Sequence, residues 1–363
     1  MDMHNKYDES PQSIPPSTPQ PGEMPVPPAP SPSIQYINFP AENKKSGSGW
    51  RIFINILLTF SILTNIVLFL ALTGLVMMLL VSTGGTEQFS ETTLIKGPAS
   101  SKIAVINLVG IIENNQSDEI RLLTEEALRS PDIRAVILRI NSPGGTVSAS
   151  DQIHYYITKL RQETGLPVLA FMQSVAASGG YYSAVACDYI IAEPTAITGS
   201  IGVIMSHIVV KDLLEQKLGI QPEVLKSGEK KDWPSMFSTM TDEQKRYLNE
   251  KLINPAYERF VALVCEGRQA LTSQQVRALA DGSIFTAQEA QIKGLIDETG
   301  YFEQAVAKAK EMAGISSARV VELERRTTWM DVLGAESRQS AINTKILEKL
   351  AIPQLMYMWD GMH

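Results

Sequence analysis

Between Arg51 and Glu87 the chain carries no charged residue, and the thirty residues 52–81 are mostly Ile, Leu, Phe, Val and Met. A helix of that composition presents no polar face, so it does not suit the surface of a soluble domain. At about 1.5 Å per residue the segment outruns the roughly 30 Å hydrocarbon core of a bilayer, and a transmembrane helix with room to tilt is expected. A cleaved leader fits worse, because its apolar region spans only about 7 to 15 residues and lies near the start of a chain. Lys44, Lys45 and Arg51 precede the span, whereas Glu87 and Glu91 follow it before the first basic residue, Lys96. By the positive-inside rule the N-terminus is expected in the cytoplasm, and everything beyond residue 86 outside the cell (inner) membrane, in a single-pass topology.

Composition divides the rest. Ten prolines fall between Pro11 and Pro32, in a stretch that cannot bury enough apolar surface to offset ordering entropy. The expected organisation is a disordered Pro-rich cytoplasmic tail at 1–50, the membrane helix at 51–82, a linker at 83–100, a folded domain at 101–325 and a C-terminal extension at 326–363. That extension, with an apolar end at 355–359, is read either as a docking tail or as a weakly ordered appendage. A net charge of −7 offers no electrostatic footprint for nucleic acid. Cys187 and Cys265 are too few for a disulfide framework and lack metal-ligand spacing, so both are read as small core residues. No metal or other cofactor is implied.

Within the folded domain, strands are expected at 102–109, 134–140, 167–172 and 189–192, and helices at 118–129, 147–163 and about 177–186. Alternation of this kind implies βαβ crossovers and a mainly parallel α/β sheet. Beyond Thr241 the pattern turns helical, at 242–266, 273–280, 287–293 and 302–313. Function in parallel α/β folds collects at the carboxyl ends of strands, and two loops stand there. Asn141-Ser142-Pro143-Gly144-Gly145 follows the strand RAVILRI and leads into the next helix, where paired glycines serve either a tight turn or the close approach of backbone N–H groups to a ligand. Ser174 to Tyr182 follows PVLAFM and sets Ser178 among small residues at a strand-to-helix junction, either as a helix N-cap or as an accessible hydroxyl. Together the loops supply that hydroxyl and the N–H groups of Gly145 and Gly179, placed for an oxyanion.

A serine hydroxyl needs a base. His4 lies in the tail, His363 ends the chain and His154 falls within a helix, leaving His207, for which a partly buried structural role competes. The alternative is a lysine from the run Leu225 to Pro234, which holds Lys226, Lys230 and Lys231 and by pattern alone reads equally as a solvated loop.

INSPGG at 140–145, AASGGYY at 176–182, TGSIGVI at 198–204 and KSGEKKD at 226–232 occur in the order found in the signal peptide peptidase A family (peptidase family S49, short single-repeat form). ADGSIFTAQEA at 280–290 and GLIDETG at 294–300 extend the likeness, which runs from about residue 102 to 320. The chain resembles these membrane-anchored proteases behind a membrane anchor of its own. The resemblance implies a Clp protease/crotonase-like fold of repeated ββα units with a helical C-terminal part. It also implies Ser178 as nucleophile, Lys231 as general base, Gly145 and Gly179 as oxyanion donors, and Ser200 as the residue orienting the lysine amine. Lys231 must then be neutral, which an apolar pocket favours, with Glu229 and Asp232 turned away. Neighbouring side chains on an extended segment point to opposite faces, so only one of Lys230 and Lys231 can enter the site. The implied substrates are remnant signal peptides or other membrane-proximal peptides. The implied assembly is a ring-shaped homo-oligomer in which serine and lysine come from adjacent subunits. Competing readings are a stomatin-operon-type membrane protease, a crotonase-like acyl-CoA enzyme and a non-catalytic scaffold.

Overall fold

The computed structural model describes residues 48–83, 89–326 and 354–359. The expected tail at 1–50 lies almost wholly outside the described residues, as do residues 84–88 of the linker and most of the C-terminal extension. The chain divides into a helical N-terminal unit and a larger α/β unit. Helix α1 (Ser48–Thr83) is 36 residues long, and its stretch Gly49–Met78 has a mean hydropathy of 2.3 in its most apolar window with none of it buried. It is long and apolar enough to cross a membrane. Four of its polar side chains are satisfied from within: the hydroxyls of Thr59, Thr64 and Thr73 and the amide of Asn65 each donate to a carbonyl one turn earlier. A polar group in hydrocarbon needs such a partner.

The α/β unit begins with β1 (Phe89–Ile95), β2 (Lys102–Val109), α2 (Asn114–Arg129), β3 (Ile133–Ser142), β4 (Gly144–Thr146), α3 (Val147–Thr164) and β5 (Val168–Ala177). It continues with α4 (Gly179–Ala184), β6 (Tyr189–Ala192), β7 (Ile197–Gly199) and β8 (Ile204–Met205). Residues 206–241 hold one π-helical turn, Leu213–Lys217. Then come α5 (Asp242–Leu248), a π-helical turn at Asn249–Ile253, α6 (Asn254–Gly267), α7 (Ser273–Leu279), β9 (Ile284–Thr286), α8 (Ala287–Ile292), β10 (Glu298–Thr299), α9 (Phe302–Met312), β11 (Arg319–Arg325) and β12 (Leu355–Met358). Among the described residues the main sheet runs β1-β11-β2-β3-β5-β6-β10, with β7 and β9 branching from the end of β5. Its centre is parallel, as the βαβ alternation requires.

RAVILRI reads as an unbroken apolar run because helices cover both faces of its strand. Alternate residues Val136, Leu138 and Ile140 join the core beneath α2, α3 and α6, while Ala135 and Ile137 pack on the opposite face with Ala305, Val306 and Ala309 of α9. Each fully buried aliphatic side chain of this kind contributes about 1.5–3 kcal/mol.

Three elements depart from expectation. Residues 89–95, assigned to the linker, form β1 and pair antiparallel with β11. Their Ser/Thr-rich composition hid them, because an edge strand is mostly exposed and needs little apolar alternation. Residues 355–358 of the C-terminal extension form β12, which pairs antiparallel with both β4 and β8. The third is the long helix expected at 242–266, which is interrupted by the π-helical turn.

Candidate active site

Strand β3 ends at Ser142, and after Pro143 the chain turns into β4. Gly144 sits at φ 104°, a region that side chains avoid. The hydroxyl of Ser142 accepts from the Gly144 N–H at 3.1 Å. On one side Ile112 grips the loop: its N–H donates to the Gly144 carbonyl and its carbonyl accepts from the Thr146 N–H, both at 2.8 Å. A methyl group on Gly145 would lie 2.0 Å from the Ile112 oxygen, so both glycines are needed, one for a turn and one for close approach. Helix α3 starts only after β4, and its cap is Thr146, which accepts from the Ala149 N–H at 3.3 Å. The glycine pair therefore does not itself open the helix.

Strand β5 ends at Ala177, registered beside Gly199 of β7, and α4 starts at Gly179. Ser178 lies between them at φ 54°, ψ −112°, a strained conformation for a residue with a Cβ, costing of order 1–3 kcal/mol. Backbone bonds hold it there: its N–H donates to the Gly199 carbonyl at 2.7 Å, and its carbonyl accepts from the Tyr182 N–H at 2.8 Å. Ser178 occupies the N-cap position without a capping side-chain bond. Its Oγ is buried and has no hydrogen-bond partner among the described residues. The nitrogens of the two loops meet here. A methyl group on Gly144 would lie 2.7 Å from the Gly179 nitrogen, and one on Gly179 3.1 Å from the Gly145 nitrogen and 2.4 Å from the Ser150 hydroxyl. Larger residues would displace one loop from the other.

Ser200 follows Gly199 at φ 51°, 7 % exposed, with its N–H donating to the Ser283 carbonyl at 2.7 Å. It lines an open cleft of about 430 Å³ together with Ile204, Tyr257, Met358 and Trp359. The three lysines of residues 226–232 are differently placed. Lys226 pairs with Asp232 at 2.8 Å, an ion pair that holds the Asp232 carboxyl below its usual range. Lys230 lies over Tyr247 and Trp233, 4.3 and 5.4 Å from the ring centres. Lys231 is exposed, and its ammonium has no partner among the described residues. Neither Lys231 nor His207 hydrogen-bonds Ser178 within one chain. The structure thus brings together Ser178, Gly145 and Gly179, and leaves the base unassembled.

Beside this cluster lies an aromatic one. Tyr182 stacks on Tyr357 of β12 at 4.8 Å, Phe260 packs on both rings, and the Tyr182 hydroxyl donates to Asp151 at 2.5 Å. Burial pushes the hydroxyls of Tyr182 and Tyr357 upward, so both remain protonated. His154 packs edge-on against Tyr182. Burial lowers its pKa to about 4, with Arg259 and Arg161 adding to the effect and Asp151 opposing it. Because the folded value lies below the unfolded value of about 6.5, the stability that His154 contributes while neutral is complete above pH 6.5 and is lost as pH falls toward 4. Urea unfolding should show the wild type losing about 2 kcal/mol between pH 7 and 5 from this group. His154→Gln should remove that part of the slope. Cys187 is buried and Cys265 half-buried, both as free thiols, and burial raises the Cys187 pKa out of the reactive range.

A strained serine at a strand-to-helix turn, with a buried and unpartnered hydroxyl next to two glycine loops whose Gly145 and Gly179 nitrogens lie close together, suits a serine hydrolase built for acyl transfer. Residues 160–316 match the model of peptidase family S49. A candidate signal peptide peptidase SppA of Enterococcus faecium is 32 % identical over 302 residues, covering 77 % of this chain and 87 % of that protein. A candidate protease of Methanocaldococcus jannaschii is 33 % identical over 283 residues, covering 75 % and 86 %. The chloroplastic serine protease SPPA of Arabidopsis thaliana is 34 % identical over 255 residues, covering 68 % of this chain and 36 % of that one. The chain belongs to peptidase family S49 and is a serine protease. Among solved structures, a point mutant of ClpP1 from Listeria monocytogenes overlaps at a TM-score of 0.38 and 18 % identity, over 56 % of this chain and 94 % of that one. That overlap adds nothing to the sheet order itself.

Proposed function

We propose that the protein is a membrane-anchored endopeptidase in which Ser178 is the nucleophile and Lys231 the general base. The observation that carries this reading is the buried, unpartnered Ser178 hydroxyl beside the Gly145 and Gly179 nitrogens. Ser178 Oγ attacks a peptide carbonyl while the neutral amine of Lys231 takes its proton. The oxyanion is held by the N–H groups of Gly145 and Gly179, and the proton passes to the leaving amine. Water, activated by the same lysine, then releases the acyl group. Ser200, at the mouth of its cleft, orients the amine.

Lys231 comes from an adjacent subunit. Two observations support this: the unassembled base, and the exposed apolar side chains along residues 208–225, among them Ile208, Leu213, Ile220 and Leu225, the last 94 % exposed. Such a surface suits a contact with another copy in a closed ring. Helix α1 anchors the protein in the inner membrane with its N-terminus cytoplasmic, and the protease domain, which takes in β1 as well as residues 101–325, works outside. Its substrates are remnant signal peptides and other membrane-proximal peptides. Hydrolysis of quenched signal-peptide fragments by the detergent-solubilised protein tests the choice of base. Lys231→Ala should be inert and His207→Ala active; the reverse pattern would replace the lysine with a histidine.

A further inference from the structure

The loop around Lys231 presents one lysine and holds back the other two. Its charges suit a solvated run, yet within one chain it is folded on itself. The Lys231 N–H donates to the Gly228 carbonyl at 3.0 Å and the Trp233 N–H to the Lys230 carbonyl at 3.3 Å. These are two overlapping turns, in place of the extended backbone expected there. Strand alternation therefore does not part Lys230 from Lys231. Side-chain contacts do.

The first contact closes the loop. The Lys226 ammonium donates to the Glu229 carbonyl at 3.2 Å and to the Asp232 carboxylate at 2.8 Å. Asp232 is next to Lys231 in the chain, and a carboxylate resting on the Lys231 amine would favour its charged form. Lys226 engages that carboxylate instead. The second contact ties the loop to a helix. The Lys230 ammonium lies 4.3 Å from the centre of the Tyr247 ring and 5.4 Å from that of Trp233, and the two rings meet edge-on at 5.7 Å. A cation over aromatic faces is held by their negative charge density. Trp233 belongs to the loop, whereas Tyr247 belongs to α5 and precedes Leu248, the buried residue of that helix.

We propose that Lys230, Tyr247 and Trp233, together with the Lys226–Asp232 pair, are positioning residues: they prefold the loop on its own subunit so that it delivers Lys231 to the Ser178 of a neighbour. This inference rests on the catalytic roles proposed for Ser178 and Lys231 and on their meeting between subunits. A loop ordered before assembly gives up little freedom when the site closes, and the amine arrives at a fixed distance from the serine.

The test uses full-length detergent-solubilised protein, dissociated and reassembled from two inactive chains. Ser178→Ala then supplies only lysines, and Lys231→Ala only serines. Tyr247→Leu in the lysine-supplying chain should lower the recovered kcat on a quenched peptide about fivefold with KM unchanged. The same change in the serine-supplying chain should leave the recovery as it was. In the lysine-supplying chain Lys230→Met should act like Tyr247→Leu, whereas Tyr247→Phe and Lys230→Arg, which keep a ring and a cation, should retain most of the recovery. A ring that served only folding or assembly would lower both mixtures alike, because each contains the same number of altered subunits. Equal recovery in the two arrangements, lowered or not, overturns the proposal, while recovery in the mixture without Tyr247→Leu shows the catalytic reading intact. No recovery in that mixture overturns both.

Discussion

Ser178→Ala should lower peptide hydrolysis by at least about a thousandfold while leaving the thermal midpoint unchanged or slightly raised. The two halves of that expectation share one cause. The hydroxyl is buried and makes no hydrogen bond among the described residues, so its removal sacrifices no partner and relieves the desolvation of an unsatisfied group, a change of about 0–1 kcal/mol in favour of the fold. A capping serine would behave in the opposite way, costing about 1 kcal/mol when truncated and leaving catalysis alone. Ser178→Gly separates the terms further. Glycine accepts φ 54° without the penalty a Cβ carries, and should add about 1 kcal/mol of stability to an equally inactive protein. Calorimetry together with turnover on one quenched peptide reads both halves. A destabilised alanine variant that retains turnover would return Ser178 to a structural role.

The second large effect concerns subunits. Lys231→Ala alone should be as inactive as Ser178→Ala, yet an equimolar mixture of the two, dissociated and reassembled, should regain activity. If each site takes its serine from one subunit and its lysine from the neighbour, random mixing leaves about a quarter of the sites with both groups intact. Up to about that fraction of wild-type turnover is expected. A site closed within one subunit gives no recovery, because every subunit then lacks one group. Under the proposed assignment Lys231 is the lysine of this run left free to reach a neighbouring site, since Asp232 holds Lys226 and the Tyr247 and Trp233 rings hold Lys230.

How far the fold could be read in advance depended on what each residue reports. Lys102–Val109 and Tyr189–Ala192 fall on their expected limits because strands buried on both faces are apolar throughout. The Ser178 loop was legible for a related reason: a run of small residues marks a place where backbones approach, and Gly179 and Gly180 are pressed against Ser150 and Ser142. Edge strands report less. Phe89–Ile95 is largely exposed, and its composition matches a linker. Leu355–Met358 is apolar, but nothing in a four-residue run names the distant strands, Gly144–Thr146 and Ile204–Met205, between which it inserts. The aromatic cluster was unreadable for the same reason, since Tyr182, Phe260 and Tyr357 come from three separate stretches of chain. The base was legible only as a residue type at a motif position, because no local pattern distinguishes a catalytic lysine from a solvated one.

The most direct measurement is to label the solubilised protein with a fluorophosphonate and locate the adduct by peptide mass mapping. A single adduct on Ser178, formed by the wild type and by His207→Ala but absent from Lys231→Ala, is the expected result. An adduct on another residue, or labelling that persists in Ser178→Ala, would contradict the assignment of Ser178 and Lys231 as the catalytic pair.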